Sequence, residues 1–165
     1  MALRLIAEPL APRHLDDLER LLGDPRVGAT LGGTSSRAQA AESIAEHEGH
    51  RARHGFSYCA FFEPVTDAFV GRGGLCRFVA NGREEVEVGW AVVPERWGQG
   101  IGTAIAQHSV EEAFGEHGLA DVIALTLPHN VASRRVMEKA AFAYEADVMH
   151  AGMAHVLYRR SSGGR

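Results

Sequence analysis

A glycine-rich loop stands in the middle of the chain, between an apolar strand-like run and a helical pattern. The run ends at Pro94, and Gly98, Gly100 and Gly102 follow at alternate positions. The first backbone N–H groups of a helix have no partner within the helix, and the helix dipole adds partial positive charge there. Glycine lets a ligand approach this backbone without a Cβ in the way. The spacing therefore predicts a site that binds phosphate.

Three kinds of phosphate-binding loop compete for this pattern. A P-loop NTPase, or a kinase built on one, needs a lysine and a Ser or Thr after the glycines, but Gly102-Thr103 follows without a lysine. A dinucleotide fold needs G-x-G-x-x-G near the first strand and an acidic residue at the end of the second strand, whereas Asp121 opens a strand. The loop of a protein that binds the pyrophosphate of coenzyme A fits the spacing, the mid-chain position and the flanking elements.

Two motifs resemble those of the GNAT superfamily of acetyl-CoA-dependent N-acetyltransferases, most closely its RimJ/RimL-like (ribosomal-protein-N-acetyltransferase-like) branch. Residues 97–102, WGQGIG, resemble Q/R-x-x-G-x-G/A, and the tryptophan in first position is common in that branch. Residues 130–133, NVAS, with 138–142, EKAAF, resemble N-x-x-S…E-K-x-G-F. The resemblance spans nearly the whole chain. It implies an α/β fold with a mixed, mostly antiparallel seven-stranded sheet, splayed central parallel strands and helices on both faces.

The resemblance also implies how acetyl-CoA, the co-substrate, is held. The pantetheine arm pairs with the exposed backbone of the strand before the loop, as an added strand would. Backbone amides of the loop hold the pyrophosphate, Asn130 contacts the pantetheine arm, and Arg134 or Arg135 meets a phosphate unless it belongs to a solvated helix face. The residues assigned to the cofactor are Val92, Val93, Trp97, Gly98, Gln99, Gly100, Gly102, Thr103, Asn130 and Arg135.

The implied reaction is direct attack of a primary amine on the thioester. The amine must first lose a proton, and the tetrahedral oxyanion needs N–H donors. Glu87 is the candidate base, in competition with a role as a solvated strand residue, and Glu84 and Glu85 are expected to be surface charges. Many relatives carry a tyrosine acid where this chain has Met137, so Ser133 is the candidate proton donor, or else a helix cap or CoA contact.

The expected acceptor is a protein N-terminus, a small-molecule amine or an amino sugar, and the alternative is a CoA-binding regulatory module without turnover. Arg72 and Arg77 either face the acceptor cleft or are solvated. Neither nucleic acid nor membrane is an expected partner, and a homodimer is plausible. Four further residues that could line the acceptor side are Tyr144, His150, His155 and Tyr158.

The bulk numbers agree with one cytoplasmic domain. The chain has 165 residues and a net charge of −4, which argues against general binding of nucleic acid. No apolar run is long enough to cross a bilayer or to serve as a signal peptide. Cys59 and Cys76 are expected to be reduced, and no Cys/His cluster has the spacing of a metal site. The domain should span 1–160, followed by a disordered tail over 161–165.

Apolar periodicity and turn residues predict the element order β-α-α-β-β-β-α-β-α-β-β. The glycines and proline of Asp24–Thr34 indicate a loop, and Asn81-Gly82 indicates a tight turn. The predicted strands are 3–8, 56–62, 69–79, 84–93, 122–127, 144–149 and 153–159, and the predicted helices are 12–22, 36–54, 100–116 and 132–140.

Overall fold

A computed structural model describes residues 3–163 and arranges them around a single seven-stranded sheet. The strands are β1 Ile6–Pro9, β2 Tyr58–Phe62, β3 Phe69–Ala80, β4 Arg83–Val92, β5 Asp121–Thr126, β6 Ala143–His150 and β7 Met153–Ser161. Their order across the sheet is β1-β2-β3-β4-β5-β7-β6. All neighbouring strands run antiparallel except the central pair β4 and β5, which is parallel. The mixed seven-stranded sheet predicted from the sequence is confirmed.

Helices cover both faces of the sheet. They are α1 Leu15–Gly23, α2 Pro25–Leu31, α3 Arg37–His54, α4 Ile101–Glu111 and α5 Val131–Lys139. Side chains alternate between the faces of a strand, and β4 uses both faces. Val86 and Val88 pack against α4 and α5, while Ala91 packs against α1, α2 and α3. Within residues 3–163, none of these helices combines the length and the apolar character needed to cross a membrane.

The predicted loop over Asp24–Thr34 is wrong, because most of it is the helix α2. The Asp24 side chain accepts a hydrogen bond from the Arg26 N–H at 2.8 Å, and Pro25 occupies the first helical position. Gly32 then ends the helix with a φ of 80°. An acidic N-cap, a proline at the first position and a glycine after the last turn are signals of a helix. The sequence interpretation treated the same residues as loop formers.

The central strands separate towards their carboxyl ends. The β4–β5 ladder contains one matched pair, Glu87 with Ile123, although β4 continues to Val92 and β5 to Thr126. The helix α4 begins shortly after β4 ends, and α5 begins shortly after β5 ends. The gap between the two strands is therefore bordered by the starts of two helices.

The ordered chain continues beyond Arg160. Ser161 is the last residue of β7, and the Ser162 N–H donates to the Ala120 carbonyl at 2.9 Å. The predicted disorder from residue 161 therefore does not apply to these two residues. Residues 164 and 165 of the predicted tail lie outside the described part of the chain.

Candidate active site

A cavity of about 410 Å³ lies between the end of β4, the glycine loop and the start of α5. We call it the loop cavity. Gly98 and Gly100 adopt φ angles of 75° and 81°, and a Cβ built on either would meet no atom within 4 Å. Gly100 is the N-cap of α4 and offers no capping side chain. The first backbone amides of α4 therefore have no capping group, which suits an anion bound in the loop cavity.

Positive charge reaches the loop cavity from α5. Arg135 and Lys139 stand four residues apart, on one side of that helix, and both line the cavity. Arg134 is occupied elsewhere, because it donates to the Tyr158 hydroxyl and to the Pro128 carbonyl. Sequence reasoning left either Arg134 or Arg135 as the candidate to meet a phosphate, and the geometry favours Arg135, which lines the loop cavity. Lys139 is a lining residue that sequence reasoning missed.

A second cavity of about 270 Å³ opens on the other side of the gap, and we call it the Glu87 cavity. Glu87, Arg72 and Tyr58 line it from the sheet, and His150 and His155 line it from the β6–β7 hairpin. The two cavities share part of their walls, formed by Thr30, Trp90, Asn130 and Ser133. A molecule in one cavity can therefore meet a molecule in the other across the gap between β4 and β5.

Glycines on two strands allow Tyr58 to reach the Glu87 cavity. Tyr58 of β2, Gly74 of β3 and Gly89 of β4 are aligned across the three strands. A Cβ on Gly89 would lie 1.9 Å from the Tyr58 hydroxyl oxygen, so only glycine admits the phenol at that position. Burial raises the pKa of Tyr58, so the phenol is protonated at neutral pH. Sequence reasoning missed Tyr58, although Gly89, a glycine inside the predicted strand 84–93, was a signal that another side chain approaches closely there.

The Glu87 carboxyl is partly buried, and no side chain of residues 3–163 forms a salt bridge with it. Burial raises the pKa of Glu87 to about 7, and the Arg72 guanidinium acts in the opposite direction. Burial also raises the pKa of the Cys76 thiol, which lies directly opposite Glu87 on β3. A carboxyl that titrates near neutral pH suits a general base.

A family model described as an acetyltransferase (GNAT) domain matches residues 4–143 of the chain. The chain belongs to the GNAT acetyltransferase family. This identifies it as an acyltransferase and confirms the GNAT fold expected from the sequence. Acetyl-CoA-dependent acetyl transfer is general in this family, and GNAT enzymes act on amine acceptors.

Individual relatives are distant but match over nearly their whole length. The chain is 23% identical to the uncharacterized protein YkkB of Bacillus subtilis, over 96% of each chain. It superposes on a putative GNAT-family acetyltransferase from Bordetella pertussis with a TM-score of 0.81 and 24% identity, over 96% of each chain. It superposes on RimL, a ribosomal L7/L12 α-N-protein acetyltransferase solved with coenzyme A, with a TM-score of 0.77 and 16% identity, over 95% and 93% of the two chains. At these identities the superpositions show the shared fold.

Most residues that the GNAT resemblance assigned to the cofactor line the loop cavity. Asn130 and Ser133 line both cavities, and the Asn130 side-chain oxygen accepts the Ser133 N–H at 3.1 Å, which caps α5. The Trp97 indole N–H donates to the Val92 carbonyl at 2.8 Å. The predicted residues in the lining are Val92, Trp97, Gly98, Gly100, Gly102, Thr103, Asn130 and Arg135.

Val93 is a correction to that assignment. Its N–H donates to the Val70 carbonyl at 3.0 Å, and its own carbonyl accepts the Arg96 N–H at 2.9 Å. Neither group is available to a pantetheine arm. Backbone groups of consecutive strand residues point to opposite sides, so Val92 and Trp90 face the gap when Val93 faces β3.

Gln99 also lies outside the lining of the loop cavity. Its side-chain oxygen accepts a hydrogen bond from the Arg96 Nε at 2.8 Å, and Arg96 in turn holds Glu63. The Gln99 side chain therefore braces the loop. The expected contact of its backbone amide with pyrophosphate stays a prediction.

The remaining candidates divide between the site and the core. His150 and His155 line the Glu87 cavity as expected. Tyr158 is buried, and the Tyr144 hydroxyl donates to Asp147. Met137 has no exposed surface and packs between α4, α5 and the sheet. In the described chain Met137 therefore lines neither cavity.

One cluster of potential metal ligands lies elsewhere. In the part of the chain that the structure describes, ligand atoms of Glu112, Glu116 and His117 lie within 4.8 Å of one another. Glu112 and Glu116 belong to a π-helical segment after α4, His117 follows that segment directly, and none of the three lines either cavity. The absence of a metal at the active site stays a prediction.

Proposed function

We propose that this GNAT protein transfers the acetyl group of acetyl-CoA from the loop cavity to the primary amine of an acceptor bound in the Glu87 cavity. The observation that carries the proposal is the shared wall of the two cavities. Trp90, Asn130 and Ser133 belong to both, at the point where β4 and β5 separate. The thioester at this junction would be open to attack from the side on which Glu87 lies.

The loop cavity offers a separate contact for each part of acetyl-CoA. Amides at the start of α4 suit the pyrophosphate, and Arg135 and Lys139 suit a phosphate group. The gap-facing backbone of Trp90 and Val92 suits the pantetheine arm, which would pair with β4 as a short added strand. The Val92 carbonyl already accepts the Trp97 indole, so its N–H is the group left for the arm.

Proton transfers complete the reaction. Glu87 accepts a proton from the acceptor ammonium group, and the neutral amine attacks the thioester carbon. The tetrahedral oxyanion is stabilised by N–H donors of β4 that face the gap. When the C–S bond breaks, the thiolate of CoA takes a proton passed on by the Ser133 hydroxyl at the junction, directly or through water, and the proton lost by the acylated nitrogen restores that hydroxyl.

The proposal includes the branch of the family, the cellular location, the acceptor and the assembly. Membership of the RimJ/RimL-like branch rests on the motif with Trp97 and on the structural likeness to RimL. Cytoplasmic location rests on the free cysteines Cys59 and Cys76. The acceptor is a small-molecule amine, a protein N-terminus or an amino sugar, not nucleic acid or membrane, and a homodimer is plausible for this family.

The second candidate function is a CoA-binding module without turnover. Its support was the absence of a tyrosine at position 137, but the Met137 side chain is in the core. A proton donor is therefore better sought at Ser133.

Release of free CoA thiol separates the two functions. The protein is mixed with acetyl-CoA and a panel of primary amines, and the thiol is followed with a chromogenic reagent. The proposal predicts thiol release with at least one amine and a large loss in the Glu87→Gln variant. The matched control is Glu84→Gln, which removes an exposed charge from the same strand. Tight CoA binding without thiol release from any amine would favour the module.

A further inference from the structure

Arg72 brings an unpaired guanidinium to the Glu87 cavity. Its Nε atom is the one buried side-chain nitrogen or oxygen within residues 3–163 that has no hydrogen-bond partner. Its guanidinium carbon lies 4.8 Å from the centre of the Tyr58 ring, in a cation–π contact. No carboxylate of the described chain forms a salt bridge with it. A partly buried cation without an anionic partner is unfavourable, so a partner from outside the chain would stabilise it.

Two other arginines of the molecule have carboxylate partners within the chain. Arg159 bonds to carboxylates on three other strands, and Arg96 bonds to Glu63. Both are largely buried, and both have their charge matched by the protein itself. Arg72 is also half-buried but has no such match, because Glu87, the acid that lines the same cavity, forms no salt bridge with it.

The charges around the Glu87 cavity are few. Among the described residues that line it, Arg72 is the only lysine or arginine and Glu87 is the only acid. His47 of α3 stacks on Tyr58, and burial together with Arg72 lowers the pKa of His47 to about 4, so it is neutral at pH 7. Burial and the neighbouring His155 lower the pKa of His150 as well. One fixed cation and one acid therefore define the polarity of the cavity.

We propose that the acceptor is a small amino acid-like molecule whose carboxylate binds Arg72 while its amine lies at Glu87. The inference rests on the proposed function, because it names the acceptor of the same site. A planar guanidinium matches a carboxylate with two parallel hydrogen bonds. A cavity of about 270 Å³ suits a small molecule. A peptide N-terminus has an amide in place of this carboxylate, and a polycationic amino sugar would meet Arg72 as a like charge.

The test compares acceptors that differ only in the carboxylate. Thiol release is measured with the standard L-α-amino acids, with their carboxamides, and with β-alanine and 4-aminobutyrate for longer spacing. Aminoalkylphosphonates form a separate arm that distinguishes a carboxylate from another oxyanion. We expect kcat/KM for the best amino acid to exceed that for its carboxamide by about tenfold or more, the effect of one charge-assisted hydrogen bond.

Variants assign the preference to Arg72. In Arg72→Gln the KM for the amino acid should rise about tenfold or more while the KM for the carboxamide changes little, and Arg72→Lys should keep part of the preference. Arg77→Gln, which removes an exposed cation from the same strand, is the control. Thermal melts confirm folding. Equal use of acid and amide by the wild type, preference for a peptide N-terminus, or preference for phosphonates would overturn the inference.

Failure of the inference can be told apart from failure of the proposed function. If amines are acetylated without regard to a carboxylate, the function stands and the inference falls. If no amine is acetylated, calorimetric titration of the same amino acids and carboxamides into the CoA-bound protein still decides. Binding of an amino acid that is weakened in Arg72→Gln would support the inference, and equal affinity for acid and amide would overturn it.

Discussion

Two glutamates of β4 point to the same face of the sheet and have opposite surroundings. Glu85 is buried and accepts hydrogen bonds from Arg159 at 2.8 and 2.9 Å, and Arg159 also contacts Asp121 and Glu145. Glu87, two residues further along, has no such partner and faces a cavity. The charge of Glu85 is matched by Arg159 of β7, whereas the charge of Glu87, in the one matched β4–β5 pair and beside the gap, is left unmatched. The same strand therefore has a charge matched within the sheet at Glu85 and a charge open to the proposed acceptor site at Glu87.

The expectation that Glu85 is a surface charge is therefore wrong. Arg159 stands on β7 opposite Ile123 of β5, and from there it reaches over to Glu85 on β4. This ion cluster connects the strands on the closed side of the gap. Removing one partner of a buried ion pair lowers the stability of the fold more than replacing the whole pair by apolar residues does.

Gly100→Glu is the substitution that we expect to have the largest effect at the gap between β4 and β5. The new side chain would place a negative charge where pyrophosphate is expected, and Gly100 has a φ of 81°. Binding of CoA, followed by calorimetry, should fall below detection. The control is Gly82→Glu, which imposes a similar φ strain of 76° in the β3–β4 turn, away from both cavities. Normal CoA affinity in Gly100→Glu would move the phosphate site elsewhere.

At Glu87 the expected effect is on turnover. Glu87→Gln should lower kcat by about 100-fold or more while changing CoA affinity little, because general base catalysis typically contributes that much. The wild-type rate should rise with pH through about 7, as Glu87 loses its proton, and this inflection should disappear in the variant. The titratable and charged groups around Glu87 are Arg72, Tyr58, His150 and His155, which line the same cavity, and Cys76, which lies opposite it on β3. An unchanged pH profile would reduce Glu87 to a structural residue.

Replacing each of the two glutamates by glutamine should change the free energy of unfolding in opposite directions. The Glu87 pKa is raised from 4.5 to about 7, so the folded state holds a proton that the unfolded state releases. Glu87 therefore destabilises the fold progressively as pH rises from about 4.5 to about 7, and Glu87→Gln should remove this loss. Glu85→Gln should lower the free energy of unfolding by about 3 kcal/mol, because it leaves Arg159 short of a partner. Chemical denaturation of both variants between pH 4 and 8 measures this, and effects of the same sign would contradict the comparison.

Arg135 should give the smallest effect. It is exposed, and surface charge pairs contribute about 0.2–1 kcal/mol, so Arg135→Gln should weaken CoA binding by about fivefold at most. The loss should shrink as salt is added. Arg53→Gln, an exposed change on α3, is the control. No change in affinity at low salt would remove Arg135 from the cofactor site.

The sequence predicted those parts of the molecule that depend on short-range patterns. The glycine loop, the strand before it and the helix α3 follow from local spacing and are present as expected. Glu85 could not be understood locally, because its partner is 74 residues away in the chain. Tyr58 likewise enters the site through packing against Gly89 on another strand.

Two errors came from local rules applied incompletely. Val92 and Val93 were both assigned to the pantetheine arm, although consecutive residues of a strand turn their backbone groups to opposite sides. Asp24 and Pro25 fit a loop by residue type, but together they begin α2, which carries Thr30 to the wall of both cavities. The pairing of β3 with β4 decides the case of Val93, and the capping side chain of Asp24 decides the case of α2.

Calorimetric titration of coenzyme A and of acetyl-CoA into the folded protein tests the central claim most directly. We predict saturable heat with one site per chain for both ligands, and its loss in Gly100→Glu but not in Gly82→Glu. The absence of heat with both ligands, under conditions where the protein is folded, would contradict the account.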